Sequence, residues 1–375
     1  MKTSETGINP ILLVAGGTGG HVFPALAIAE KLREQQVSVR WIGTRKGLEA
    51  RIVPQAGIDI DYIDVSGLRG KGLTRLLTAP FQLTKALWQS LRIMRQHRPV
   101  AVVGMGGFVT GPAAVAAWLL RIPVLIHEQN AIAGLTNRLL VRIASCVMEA
   151  FPYTFPAPVR AVTTGNPLRA SILELAKIEQ EFAPPVLSPV RILVVGGSLG
   201  AKALNEIVPQ ALLSLSGEIN VWHQTGEAHF EATRNAYATA KFDAIVDPFI
   251  TNMSAAYQWA DLVICRAGAL TVCELAQAGK ASILIPYPHA VDDHQTANAR
   301  FLTNQNAAIL VPQSVLNVSE LTDLVQSLIN NPTRLIEMSA KARQLARPSA
   351  VDDISQLILQ WALPTISNVR HKDSV

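Results

Sequence analysis

Apolar and polar positions fall in blocks along this chain, and three of the blocks repeat one design. The uncharged run Ile11–Val14 enters Ala15-Gly16-Gly17-Thr18-Gly19-Gly20-His21-Val22-Phe23-Pro24, and an alanine- and leucine-rich stretch, residues 24–29, follows. Residues 100–103 enter Gly104-Met105-Gly106-Gly107-Phe108-Val109-Thr110-Gly111-Pro112, followed by the helix-like residues 113–120. Residues 191–195 enter Gly196-Gly197-Ser198-Leu199-Gly200-Ala201, and the pattern beyond predicts a helix through about Leu215. A strand buried on both faces needs no polar alternation, and a glycine turn then hands it to a covering helix. The first and third copies lie about half a chain apart, which predicts two α/β domains. Residues 11–29 and 100–120 lack formal charge and approach membrane-spanning length. Glycines and a proline interrupt each, so both read as buried strand–loop–helix units rather than spans.

Composition agrees with this pattern. The 375 residues suit about two domains, and 49% hydrophobic against 16% charged residues leaves ample core and little disorder. Cys146, Cys265 and Cys273 share no metal-ligand spacing and cannot all pair, which fits a reduced cytoplasmic setting. No basic, apolar and cleavage-site sequence opens the chain, so a secretory signal is not expected.

Charge is uneven. Residues 1–168 hold 18 basic and 9 acidic side chains, whereas the remainder holds 15 and 19. No acid lies between Val65 and His127, against Arg69, Lys71, Arg75, Lys85, Arg92, Arg95, Arg98 and Arg121. Within that stretch Leu73, Leu76, Leu77, Phe81 and Trp88 interleave with bases, as in a segment docking on anionic lipid; a core helix with a basic outer face is the other reading. No nucleic-acid module or stacking pattern accompanies the bases, so nucleic acid is not an expected partner.

The glycine loops invite an anion, because a helix N-terminus offers free amides and a positive dipole end. The strict dinucleotide fingerprint is absent, and the second strand ends in Gly43-Thr44 rather than in an acid for a ribose. No P-loop sequence occurs. Asp59-Ile60-Asp61 looks like the paired carboxylates that hold a metal–diphosphate, but it lies in a strand-like alternation after Gly57 and reads as a chance match. The adjacent Asp292-Asp293 is the better acidic cluster but lacks metal-site geometry, so no metal and no cofactor are expected. His21, closing the first loop, suggests proton transfer beside an anion. In the second half, residues 261–265 read as a strand. After Arg266-Ala267-Gly268, a helix beginning at Ala269 to Thr271 would face a diphosphate, with Glu274 one turn inside to meet ribose hydroxyls. Further on, Gln295 follows another strand end and is a candidate for sugar hydroxyls.

These segments resemble the MurG family of N-acetylglucosaminyltransferases. The carrying motifs are the first glycine loop, Ser66-Gly67-Leu68-Arg69-Gly70-Lys71-Gly72, Gly104-Met105-Gly106-Gly107, His127-Glu128-Gln129-Asn130, Gly134-Leu135-Thr136-Asn137 and Gly165-Asn166-Pro167-Leu168-Arg169. Gly196-Gly197-Ser198-Leu199-Gly200-Ala201, Trp222-His223-Gln224-Thr225-Gly226 and Arg266-Ala267-Gly268-Ala269-Leu270-Thr271-Val272-Cys273-Glu274 complete the set. Any one loop is weak; the ordered series is specific.

The resemblance implies an α/β, GT-B fold: two Rossmann-like, doubly wound parallel-sheet domains facing a cleft. It implies residues 1–168 as acceptor and membrane-associated domain and 169–348 as donor domain, with a helix in about 349–375 packing back on the first. The implied reaction is inverting transfer of N-acetylglucosamine from UDP-N-acetylglucosamine to the 4-hydroxyl of an undecaprenyl-diphosphate-linked N-acetylmuramyl-pentapeptide. That step, lipid I to lipid II, belongs to peptidoglycan biosynthesis. Donor contacts would come from Thr18, Gly19, Gly20, Asn130, Arg169, Ser198, Ile250, Ala269, Leu270, Thr271, Val272, Cys273, Glu274 and Gln295. Gly104, Gly106, Gly107 and His127 would face the acceptor, and His21 or Glu128 would be the general base. The family implies a peripheral place on the cytoplasmic face of the inner membrane, with other cell-wall synthesis proteins as partners. A UDP-N-acetylglucosamine 2-epimerase and a non-catalytic cell-wall scaffold are the alternatives. The final stretch, residues 366–375, offers no readable pattern.

Overall fold

A computed structural model describes residues 9–65, 72–175, 189–197, 200–215 and 218–370. The chain divides into two compact units, Met1–Arg169 with Ser349–Val375, and Ala170–Pro348. Among the described residues the first unit holds seven parallel strands: β1 (Ile11–Val14), β2 (Val39–Gly43), β3 (Ile60–Tyr62), β4 (Ala101–Gly104), β5 (Val124–Glu128), β6 (Cys146–Glu149) and β7 (Val162–Thr163). Their order is β3-β2-β1-β4-β5-β6-β7, so the direction of winding reverses between β1 and β4. There Ile11 pairs with Ala101 and Val14 with Gly104, which brings both glycine loops out side by side at the carboxyl ends of these parallel strands.

The unbroken apolar strands are explained by helices on both faces. Ile11 and Leu13 pack with Val22, Ala25 and Ile28 on one side. Leu12 and Val14 pack with Ala113 and Ala116 on the other. The helix Ala350–Arg370 lays Ile354, Ile358 and Ala362 into the first of these cores, at the four-residue spacing of one helix face. Lys31 Nζ stands 2.6 Å from Asp352 Oδ1 at its start. This helix runs to Arg370, into the tail where the sequence pattern is unreadable.

The second unit repeats the winding with β8 (Val190–Val195), β9 (Ile219–Gln224), β10 (Ala244–Asp247), β11 (Leu262–Cys265), β12 (Ala281–Leu284) and β13 (Ala308–Leu310), ordered β10-β9-β8-β11-β12-β13. All described pairings are parallel, and the reversal falls between β8 and β11. Open sheets of this kind bind ligands beyond the carboxyl ends of the strands at such a reversal. The expected doubly wound, Rossmann-like α/β fold is therefore present in each unit.

Candidate active site

In the first unit, the loop after β1 enters the helix Gly19–Glu34 with Thr18 as N-cap; the Thr18 side chain makes no capping bond, and Thr18 and Gly20 are exposed. One loop amide already has an anionic partner. The buried Glu49 carboxylate accepts from Gly17 N at 3.0 Å and from the Thr44 amide and hydroxyl, each at 2.8 Å. The acid tying this loop thus comes from the chain itself, 32 residues downstream of Gly17. Sequence reasoning missed Glu49.

His21 sits in the first turn of that helix, half-buried, with Nδ1 3.1 Å from Gln129 Oε1. Two glycines permit this approach. A Cβ on Gly106 (φ +94°) would stand 2.7 Å from His21 Nδ1, and one on Gly107 (φ +81°) 2.6 Å from the Gly16 carbonyl oxygen. Gly104 ends β4 beneath them. At the end of β5, His127 is fully buried. Burial pushes its pKa down to about 4, opposed by the Gly165 hydrogen bond and the Glu128 charge. Glu128 accepts four hydrogen bonds: from the Asn130 amide (3.1 Å) and side chain (3.2 Å), Gly134 N (3.0 Å) and Asn137 Nδ2 (2.9 Å). It folds the loop carrying Asn130 around itself and is buried. Arg169, which ends the first of this unit's two segments, lies over the Phe23 ring with 5.6 Å to its centroid.

In the second unit, Gln224 ends β9 and joins two segments: Nε2 donates to the Gly197 carbonyl and Oε1 accepts from Ile250 N, both at 3.0 Å. Ser198 lies outside the described residues. Beyond β11 the extended Gly268 caps the helix Ala269–Ala278 with no side-chain bond to its first amides. Ala269, Leu270 and Thr271 carry amides for which helix geometry provides no intrahelical acceptor. Val272 is buried, whereas Cys273 and Glu274 are half-buried. Glu274 Oε2 accepts from the buried Tyr257 hydroxyl at 3.0 Å, which orients the carboxylate. Burial, reinforced by the Glu274 charge, pushes the neighbouring Cys265 thiol up to about 12, so it behaves as an inert core residue.

Gln295 accepts from Tyr287 N at 2.9 Å. The Tyr287 ring lies under the Arg266 guanidinium at 5.6 Å, and that guanidinium donates to the Ile285 and Pro286 carbonyls at 3.0 Å and to Gln313 Oε1 at 2.6 Å. Desolvation lowers the Arg266 pKa. Tyr257, Gln224 and Arg266 are supports that sequence alone did not single out. Asp292 and Asp293 lie in left-handed backbone, and among the described residues no cluster of three metal-ligand side chains occurs.

The membrane-patch candidates divide. Leu73, Leu76 and Leu77 belong to the helix Gly72–His97, but their side chains lie outside the described residues. Phe81 is 78% and Trp88 60% exposed, and that helix packs beside the helix Thr110–Leu119, whose Trp118 is 52% exposed. Leu119 and Leu139 are also exposed. An alanine-rich helix gave no sequence signal for Trp118. Among the described residues no helix is long and apolar enough to cross a membrane.

Residues 11–149 match the glycosyltransferase family 28 N-terminal domain and residues 191–354 its C-terminal domain. A Methylococcus capsulatus protein named UDP-N-acetylglucosamine–N-acetylmuramyl-(pentapeptide) pyrophosphoryl-undecaprenol N-acetylglucosamine transferase is 53% identical over 353 residues, 94% of this chain and 98% of its own length. A Coxiella burnetii protein of the same name is 47% identical over 92% of this chain and 97% of its own. The crystal structure of Acinetobacter baumannii MurG superposes with a TM-score of 0.82 at 47% identity, covering 94% of this chain and 99% of that one. The chain belongs to the MurG group of glycosyltransferase family 28. A UDP-GlcNAc 2-epimerase from Neisseria meningitidis, at 13% identity and a TM-score of 0.66, shares with this chain the fold alone.

Proposed function

We propose that this chain transfers N-acetylglucosamine from UDP-N-acetylglucosamine to the 4-hydroxyl of a lipid-linked N-acetylmuramyl-pentapeptide, with inversion at the anomeric carbon. The observation that carries the donor half is the helix start Ala269–Thr271, beyond the β11 end at the sheet reversal, with Glu274 one turn inside and aimed by Tyr257. The amides hold the diphosphate and favour the charge that develops as UDP leaves. Glu274 accepts from the ribose hydroxyls. The Ile250 carbonyl meets the uracil, because its amide already donates to Gln224. Gln295 meets the sugar with its amide nitrogen, its oxygen being held by Tyr287 N.

In the first unit, the Gly104–Gly107 loop faces the acceptor diphosphate. His21 is the general base. Imidazole can accept a hydroxyl proton, and this half-buried ring stands in the first helical turn after the glycine loop. Glu128 instead organises the Asn130 loop, since four donors already surround its carboxylate. His127 supports the loop from within.

Phe81, Trp88, Trp118, Leu119 and Leu139, with Lys85, Arg92 and Arg121 nearby in sequence, form the face that docks peripherally on the anionic cytoplasmic leaflet. The deciding experiment incubates labelled UDP-N-acetylglucosamine with the purified chain and a lipid-linked muramyl-pentapeptide, with and without chelator. Label entering the lipid fraction undiminished by chelator supports the reading. Donor epimerised without acceptor, or bound and never transferred, would replace it with the epimerase or scaffold.

A further inference from the structure

A row of hydrogen bonds runs behind His21 and ends on a group that can only accept. His127 Nε2 lies 3.0 Å from the Gly165 carbonyl oxygen, so this nitrogen carries a proton and donates it. Burial holds the ring neutral, and a neutral imidazole has one proton; His127 Nδ1 is therefore a bare acceptor. It faces Gln129 Nε2 at 3.2 Å, which fixes the amide with nitrogen toward His127 and oxygen toward His21. The Asn166 side chain holds the same segment by donating to the Gln129 carbonyl at 3.0 Å. Gln129 Oε1 then stands 3.1 Å from His21 Nδ1. An amide oxygen cannot donate, so His21 Nδ1 bears the proton and Nε2 keeps its lone pair. Free neutral histidine prefers the opposite tautomer.

We propose that Gln129, oriented by His127 and Gly165, is a positioning residue that sets the tautomer of His21 and leaves Nε2 to accept the proton of the attacking hydroxyl. The inference rests on the reading of His21 as the base. As the acceptor oxygen bonds to the anomeric carbon, the bond from that carbon to the diphosphate breaks and its electron pair leaves with UDP. The hydroxyl proton passes to Nε2. The imidazolium so formed still donates from Nδ1 to Gln129, so the support need not move during the reaction.

The test is nitrogen NMR on the full chain labelled with 15N-histidine at pH 8. Among its eight histidines, His21 is the one whose signals vanish in His21→Asn. The expected result is a protonated Nδ1 and an unprotonated Nε2 for His21. Gln129→Leu should lose that pattern and lower kcat by at least ~10-fold, bounded by the ~10²–10⁴ a general base contributes, with KM for UDP-N-acetylglucosamine unchanged. Gln129→Glu keeps an acceptor beside His21. It should restore much of kcat, because a carboxylate oxygen accepts from Nδ1 as the amide oxygen does. A wild-type His21 protonated on Nε2 would overturn the proposal, whether or not Gln129→Leu folds. So would Gln129→Leu keeping both the tautomer and kcat. Normal turnover by His21→Asn would overturn the base reading beneath it, and the spectrum of the unaltered chain separates that outcome from failure of the relay.

Discussion

Lowering the pH from 7.5 to 5 should destabilise both units through one buried histidine in each. Burial pushes His127 down to about 4 and His223 to about 3, against 6.5 for the unfolded side chain. Between those values the unfolded chain binds protons that the folded chain does not, so stability is full above about pH 6.5 and falls as pH drops toward 4. At pH 5 each unfolded histidine gains about 2 kcal/mol from protonation that its buried counterpart forgoes, about 4 kcal/mol for the pair. His223 is the cleaner probe, lying between the Tyr237 hydroxyl and Asn205 Oδ1 at 3.0 Å each, with neither group assigned a role in the reaction. Urea unfolding followed by fluorescence at both pH values gives the wild-type loss. His223→Gln should be less stable at pH 7.5, having lost fitted hydrogen bonds, yet should show only about half of the acid-induced loss. An unchanged pH dependence in that variant would refute the assignment of the proton uptake to His223.

Tyr257→Phe leaves Glu274 without its hydroxyl donor; KM for UDP-N-acetylglucosamine should rise about 10-fold with kcat little changed, since a hydrogen bond to a charged group is worth roughly 1.5–3 kcal/mol. A kcat loss with constant KM would place Tyr257 in the chemistry instead. Replacing Phe81, Trp88 and Trp118 with serine should abolish sedimentation with anionic vesicles while leaving the melting temperature unchanged, because all three are exposed. A drop in melting temperature would assign them to packing. Ile358→Ala should cost about 2–5 kcal/mol and unfold the first unit earlier, as it leaves a cavity in a fully buried core. A value below ~1 kcal/mol in urea unfolding would mean that the helix Ala350–Arg370 adds little.

The central strands and glycine loops were legible in the sequence because β1, β4 and β11 are buried along their whole length and announce themselves as continuous apolar runs. The helix start at Ala269 and the position of Glu274 one turn inside followed from local spacing alone. What remained hidden depends on contacts distant in sequence. Glu49 acts on Gly17 across 32 residues and Gln129 on His21 across 108, separations that no periodicity reports. Gln129 and Gln224 stand inside motifs that were plain to see, but a glutamine's role depends on which atoms face its two ends. Trp118 was concealed for another reason: an apolar side chain in a mostly buried helix reads as core until the neighbouring helix is in place.

The helix Ala350–Arg370 gives the first unit a discontinuous chain, while the second is one uninterrupted span, Ala170–Pro348. On the ribosome the second unit is therefore finished while the first still lacks Ile354, Ile358 and Ala362 from its core. The part made first is completed last. A chain truncated after Pro348 and released should resist protease in its later half and be cut in its earlier one, so synthesis leaves an apolar face in need of protection until the final turns are added.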